Sequence, residues 1–310
     1  MKKRYINIFI IIVCTFFLVE LLVNRNIVFN TVGFSLNIWI TSILPSLFPF
    51  FVLSDILNSY DIISYVPKYI KLFLMKIFNI SDNGLFIFLI SMLSGFPSNA
   101  RNIRILYKEK KISKNEAEHL LFFTHFSNPM FILGTLTILF LNNKSLGILI
   151  LISHYLPNFI LGITLRNLNT NYTNNNKDKT NSKNFGIIFT KAINSSINSL
   201  LMILGTLTVF LIISTIIINL FNLDSKTTLL IKSILELTSG LKELSLINFC
   251  NNTLVILSSC ILSFGGLSVH MQVINELNDT DISYKNFFIG RILQTFLSLI
   301  ISYIICLFTF

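Results

Sequence analysis

Apolar runs of about 20 residues recur along this chain and constrain its fold more than any other feature. At a helical rise of 1.5 Å per residue, each can cross a hydrocarbon layer roughly 30 Å thick. In lipid, backbone polar groups must be satisfied within the segment or within a closed barrel, and runs of this length select helices. Of the 310 residues, 53% are hydrophobic and only 12% charged. A water-exposed globular surface needs charged residues nearer a quarter of the total. The expected class is an all-α polytopic membrane protein.

The start, Met1-Lys2-Lys3-Arg4 followed by an apolar stretch to Val23, has the charged head of a signal peptide but no small-x-small cleavage site. It reads as an uncleaved transmembrane anchor helix within residues 1–32. Further apolar segments fall at 33–57, 84–107, 118–141, 145–165, 187–220, 252–277 and 287–309. Residues 61–80, with Lys68, Lys71 and Lys76, and 227–249, with Lys232, Glu236, Lys242 and Glu243, are too charged for the bilayer centre. Both are expected as amphipathic helices at the interface. Glu236 and Glu243 either line an entrance or simply form a polar face. The Asn-rich stretch 166–186 reads as a polar cytoplasmic linker between two repeats, 33–165 and 187–310.

The formal charge of +10 is spread between apolar segments, which points to topology and excludes a nucleic-acid-binding domain. Cys14, Cys250, Cys260 and Cys306 lie singly, without metal or disulfide spacing. The order of glycine break, connection and long helix occurs twice. Gly95-Phe96-Pro97-Ser98 precedes Gly266-Leu267-Ser268-Val269 by about 170 residues, and Ile112-Ser113 stands in the same relation to Ile282-Ser283. Internal duplication accounts for this. A shorter echo, Ile132–Thr137 against Ile203–Thr208, does not fit that period.

Charge distribution suggests how the broken segments sit. If 84–107 and 252–277 are both re-entrant hairpins and the amino terminus is cytoplasmic, the basic cluster Arg101, Arg104, Lys108, Lys110, Lys111 and Lys114 is cytoplasmic too. Arg25, Lys144, Lys226, Lys232, Lys242, Lys285 and Arg291 then fall on the other side. The result is an inverted repeat with two re-entrant helical hairpins and broken transmembrane helices, with residues 108 and 285 on opposite faces. Opposed hairpins enclosing a solute are a recurrent transporter design.

The candidate binding residues cluster at the breaks. At the first tip, Ser94, Gly95, Phe96, Pro97, Ser98 and Asn99 combine a flexible glycine, a helix-starting proline and small polar groups, with Arg101 one turn on. A helix beginning there aims free N–H groups and a partial positive charge at an anion, unless the sequence is only a kink in a packed helix. At the second tip, Gly265, Gly266 and Ser268 repeat the design, with His270 and Gln272 as further donors. Between them, Thr124-His125-Phe126-Ser127-Asn128-Pro129 should break a helix, exposing His125, Ser127 and Asn128. Pro45 and Pro49 mark another distorted helix, closed by Asp55. No nucleophile set, phosphate loop or metal motif is present, so no enzyme, cofactor or metal is expected. The basic cluster 101–114 suits anionic lipid headgroups.

Four stretches carry a family resemblance: Leu44-Pro45-Ser46-Leu47-Phe48-Pro49-Phe50-Phe51; Gly95-Phe96-Pro97; Ser127-Asn128-Pro129 after Glu116-Ala117-Glu118; and Phe264-Gly265-Gly266-Leu267-Ser268-Val269-His270-Met271-Gln272. Together they resemble the YlbJ (SpoVV) family of sporulation integral membrane proteins, from about residue 33 to 305. The resemblance implies a nucleoside-recognition or gate fold, similar to concentrative nucleoside transporters. It also implies movement of dipicolinic acid across the outer forespore membrane of a spore-forming bacterium. The first tip departs from the family at Ser98-Asn99-Ala100, where a second small residue is expected. The expected function is transport of a small organic anion. The alternative is a non-transporting scaffold of the spore envelope. Lipid and a second copy or other sporulation membrane proteins are the expected partners.

Overall fold

The computed structural model describes residues 2–60, 62–166 and 184–309, so most of the expected linker lies outside the described residues. Its helices run α1 Lys2–Val23, α2 Arg25–Ile38, α3 Leu44–Ser59, α4 Lys68–Phe78, α5 Asp82–Ser94, α6 Ser98–Lys108 and α7 Lys114–Phe123. They continue as α8 Leu146–Thr164, α9 Phe185–Phe221, α10 Ser225–Leu235, α11 Leu237–Leu244, α12 Asn251–Phe264, α13 Gly266–Leu277 and α14 Tyr284–Thr309. Wider π-helical turns occupy Trp39–Ile43 and Phe131–Phe140. The first lies just ahead of Pro45, which has no N–H for a regular turn. Among the described residues six helical stretches are long and apolar enough to cross a membrane, and there is no strand. The chain is a polytopic all-α membrane protein.

Polar contacts between loops assign helix ends to two faces. Glu116 accepts the Ser81 N–H at 2.7 Å, Asn83 donates to the Lys111 carbonyl at 3.0 Å, and Arg166 donates to the Ile77 carbonyl at 3.2 Å. The start of α5, the end of α6, the start of α7 and the end of α8 therefore share one face. Because it carries the cluster 101–114, it is the basic face of the molecule. Asn143 reaches Asn251 at 3.4 Å, and Cys306 lies against the Asn252 carbonyl, which places those loops on the opposite face. So α5 and α6 pack against one another as a hairpin that enters and leaves by the basic face, as expected for 84–107. The helix α4 is bent 90° from α5 and exposes Tyr69, Leu72 and Phe73, as an interface helix should.

The second half differs from the expectation for 252–277. Here α12 and α13 form one through-going span, Asn251–Leu277, interrupted at Gly265 but not folded back. Two consecutive positive φ values, +85° at Gly265 and +70° at Gly266, end one helix and start the next while keeping their direction. The span delivers residues 278–283 to the basic face, where Lys108 pairs with Asp279, Lys114 pairs with Asp281 at 3.0 Å, and Glu118 accepts the Ser283 N–H at 3.0 Å. Residues 108 and 285 thus lie on the same face, not on opposite ones.

The second hairpin is α10 and α11, read from sequence as an interface helix. They reverse at Glu236 and pack so closely that a Cβ on Gly240 would lie 2.5 Å from the Ser233 Cα, with Lys232 and Glu243 paired at 2.7 Å. The inverted repeat survives with a different register. Hairpin α5/α6, the broken span from α7 to Phe140, and α8 correspond to hairpin α10/α11, the broken span α12–α13, and α14. From Phe96 to Glu236, from Ser127 to Gly265, and from the start of α8 to that of α14, the spacing is about 140 residues, not 170. Around this body, α2 and α3 run antiparallel to α9, joined by Ser35 to Thr208 at 2.8 Å and Trp39 to the Leu200 carbonyl at 3.0 Å.

Candidate functional site

Breaking a helix inside lipid frees backbone groups that must find partners. At Thr124–Pro129 nearly every one is met by a named group. Arg291 donates to the Phe122 carbonyl at 2.9 Å and Asn158 to the His125 carbonyl at 2.6 Å. The Phe96 N–H donates to the Phe126 carbonyl at 2.9 Å, and the Tyr155 hydroxyl to the Ser127 carbonyl at 2.9 Å. The Ser127 N–H donates to Nε2 of His154 at 2.9 Å. The other ring nitrogen of His154 meets Ser263 at 3.0 Å, so α8 and α12 share that ring. Asn128 closes the break: its Oδ1 accepts the Met130 N–H at 2.7 Å while its Nδ2 donates to the Leu93 carbonyl at 2.8 Å, beside the first hairpin tip.

The tips seat on the breaks. Gly95, at φ +76°, lies so close to Asn128 that a Cβ would be 2.6 Å from the Asn128 nitrogen. Ser98 turns back to the Gly95 carbonyl at 2.6 Å and also meets Ser94, closing the first tip. At the second tip, Glu236 caps the start of α11 by accepting the Thr238 and Ser239 N–H groups at 3.0 and 2.6 Å. That tip lies on the second break, where a Cβ on Gly266 would be 2.9 Å from the Leu237 nitrogen.

Both tips, the first break and the part of α13 that follows the second break meet at one cavity of about 40 Å³, whose polar wall is Ser127, Asn128, Glu236, Thr238 and Gln272 and whose apolar wall includes Phe96, Leu207 and Val269. Space of this size holds a few waters at most, whereas a cavity that binds benzene measures about 150 Å³.

A protein of Bacillus subtilis (strain 168), described as "Sporulation integral membrane protein YlbJ", is 32% identical over 296 residues, covering 84% of this chain and 72% of that protein. The chain belongs to the YlbJ family. No family model matches it, and no solved structure does.

In this YlbJ-family chain, Phe96, Ser127, Asn128 and Gln272 line the cavity, with Gln272 donating to Thr206 at 2.9 Å. Ser94, Gly95, Pro97 and Ser98 shape the first tip behind Phe96, and Asn99 reaches Thr124 at 3.5 Å. Gly265, Gly266 and Ser268 form the second break and the start of α13. Two expected donors are engaged elsewhere. Arg101 pairs with Asp55 and donates to Ser199 at 3.1 Å, and His270 contacts Tyr284 and donates from Nε2 to the Phe264 carbonyl at 3.0 Å. His125 sits directly behind Phe96, the two rings stacked at 4.5 Å and 7°.

Sequence reading missed Glu236 as a tip, His154 and Asn158 as clamps of the break, and Arg291 as an interior residue. The signal for the tip is the cap-like order Glu236-Leu237-Thr238-Ser239-Gly240, a carboxylate followed by small residues at a helix start. For the others it is polar side chains within otherwise apolar spans. Arg291 is fully buried, and among the described residues its side chain has only the Phe122 carbonyl and Gln294 as hydrogen-bond partners, with the Phe287 ring at 5.1 Å. A charge at such depth costs about 2.5–3.5 kcal/mol even on insertion scales.

Proposed function

We propose that this chain is a transporter or facilitator of a small organic anion, with dipicolinic acid crossing the outer forespore membrane during sporulation as its cargo. The observation that carries this reading is the convergence of two oppositely inserted hairpin tips, one helix break and the helix that follows the other break on one cavity. Irregular backbone is tolerated at membrane depth where it lines a solute path. The arrangement is the one expected of a gate-type fold. Its basic face is taken as cytoplasmic, with the amino terminus on that side, because 101–114 and 278–285 place Arg104, Lys108, Lys110, Lys111, Lys114 and Lys285 together there. The carboxylate of Glu236 in the wall is held by two backbone donors, which favour its ionised form, so an anion passes it at lower cost when a proton has neutralised it. The role is that of a carrier, not an enzyme, working among lipid and other sporulation membrane proteins.

A second reading, a non-transporting scaffold of the spore envelope, is favoured by one observation, the small size of the cavity, about 40 Å³. Reconstitution separates the two. Proteoliposomes containing the full chain should accumulate labelled dipicolinate above empty vesicles, and spores of a strain lacking the protein should be depleted of it. Equal accumulation in protein-containing and empty vesicles would leave the scaffold reading.

A further inference from the structure

Arg291 has no ion-pair partner: among the described residues every salt bridge joins other groups, and its Nε has no hydrogen-bond partner. Its contacts with the Phe122 carbonyl and Gln294 ask only for a donor, which a neutral amide would supply. They do not explain a charge. His125 is equally unserved, since it is fully buried and neither ring nitrogen has a partner. The two meet around Phe287, whose ring centroid is 5.3 Å from that of His125 and 5.1 Å from the Arg291 guanidinium carbon. Nε2 of His125 points at Gly265, 3.2 Å from where a Cβ would stand. There α13 begins without a side-chain cap, and Ser268, in its first turn, is buried with an unpartnered hydroxyl. An imidazole, a hydroxyl and a free helix start, none of them fully partnered, thus lie at the second break, and the guanidinium packs against the same Phe287 ring as the imidazole.

We infer that Arg291, His125, Ser268 and the start of α13 form a carboxylate-binding subsite behind Phe96, and that the bound carboxylate is the missing counter-ion of Arg291. The inference rests on the carrier reading and names the part of that site which recognises charge. Phe96 is stacked on His125 and lines the cavity, so a solute in the cavity reaches the imidazole by moving this one ring. A helix start supplies oriented N–H groups for one oxygen, and the guanidinium supplies the charge.

The test measures binding apart from transport. Purified full-length protein in detergent is titrated with dipicolinate and with its uncharged diamide, and the rise in unfolding temperature gives apparent affinities. Wild type should favour the dicarboxylate by about tenfold or more, the scale expected of one charge-assisted contact. His125→Phe keeps the stack on Phe96 and breaks no hydrogen bond, so it should fold, and it should lose most of this preference. Arg291→Gln should abolish the preference, and Arg291→Lys should retain part of it. No preference in wild type, or an undiminished one in His125→Phe, would overturn the subsite. Preferential binding without uptake into proteoliposomes would uphold the subsite and sink the carrier reading. Uptake with no preference for the charged compound would do the reverse.

Discussion

Nε2 of His154, on α8, accepts the backbone N–H of Ser127 at 2.9 Å, and the same ring reaches Ser263 on α12 at 3.0 Å. One side chain thus satisfies the break of the first repeat and joins it to the helix that carries the break of the second. Replacing it with Phe would leave the buried Ser127 N–H without a partner. His154→Phe should lower unfolding stability in detergent by about 1–3 kcal/mol, the cost of an orphaned buried donor. Ser263→Ala, which leaves Ser127 served, should cost less.

The glycines at the first tip and the second break differ from those in ordinary helix. A Cβ on Gly95 or Gly266 meets backbone nitrogen at 2.6 or 2.9 Å, and both residues have positive φ, whereas Gly33 and Gly205 have nothing within 4 Å. Gly95→Ala and Gly266→Ala should each lose at least about 1–2 kcal/mol from the left-handed conformation alone, before any clash. Gly205→Ala should be neutral or stabilising, because alanine favours a helix interior by up to about 1 kcal/mol over glycine. Thermal unfolding of the three purified variants checks the order.

Asp55 and Arg101 form an ion pair between α3 and the returning arm of the first hairpin, with side chains 14% and 3% exposed. Removing one partner strands the other. Asp55→Asn should destabilise by about 3–5 kcal/mol, and the double change Asp55→Asn with Arg101→Gln should recover part of the loss. A double-mutant cycle on unfolding midpoints measures the coupling.

The two repeats are also joined at the basic face. Cysteines at Lys108 and Asp279, in a background lacking the native four, should be joined by a short bifunctional thiol cross-linker in membranes, and Lys108→Cys and Lys285→Cys should label from the same side. Labelling from opposite sides would refute the 140-residue register of the repeats. The loop contacts should also depend on pH. Hydrogen bonding to Lys108 holds Asp279 below its usual 3.8, and hydrogen bonding to Tyr107 and Lys114 does the same for Asp281. A depressed carboxylate contributes fully above the unfolded value and loses its contribution as pH falls through the lower folded one. Hydrogen exchange in residues 278–283 should accordingly quicken, relative to intrinsic rates, below about pH 3.8. Since these groups are exposed, the effect on global stability should be slight.

The sequence by itself determined the solvent, the helical class and the positions of the breaks at Gly95–Pro97, Ser127–Pro129 and Gly265–Gly266. Those follow from local chemistry: apolar length, a missing N–H at proline, and backbone freedom at glycine. Only the tertiary structure decided what each break does. Gly95 reverses the chain because α6 packs back on α5 while Asn128 fills the space at the tip. Gly265 lets the chain run on because α12 and α13 dock on different neighbours. The repeat spacing followed the same division, since matching glycine motifs aligned a tip with a through-going break, and the true counterpart, Glu236, resembles it only in its place against the other half. Arg291 is the clearest case. Along the chain it reads as one more orienting charge, and only the packing of α14 on the end of α7 carries it into the interior, where its charge needs a partner.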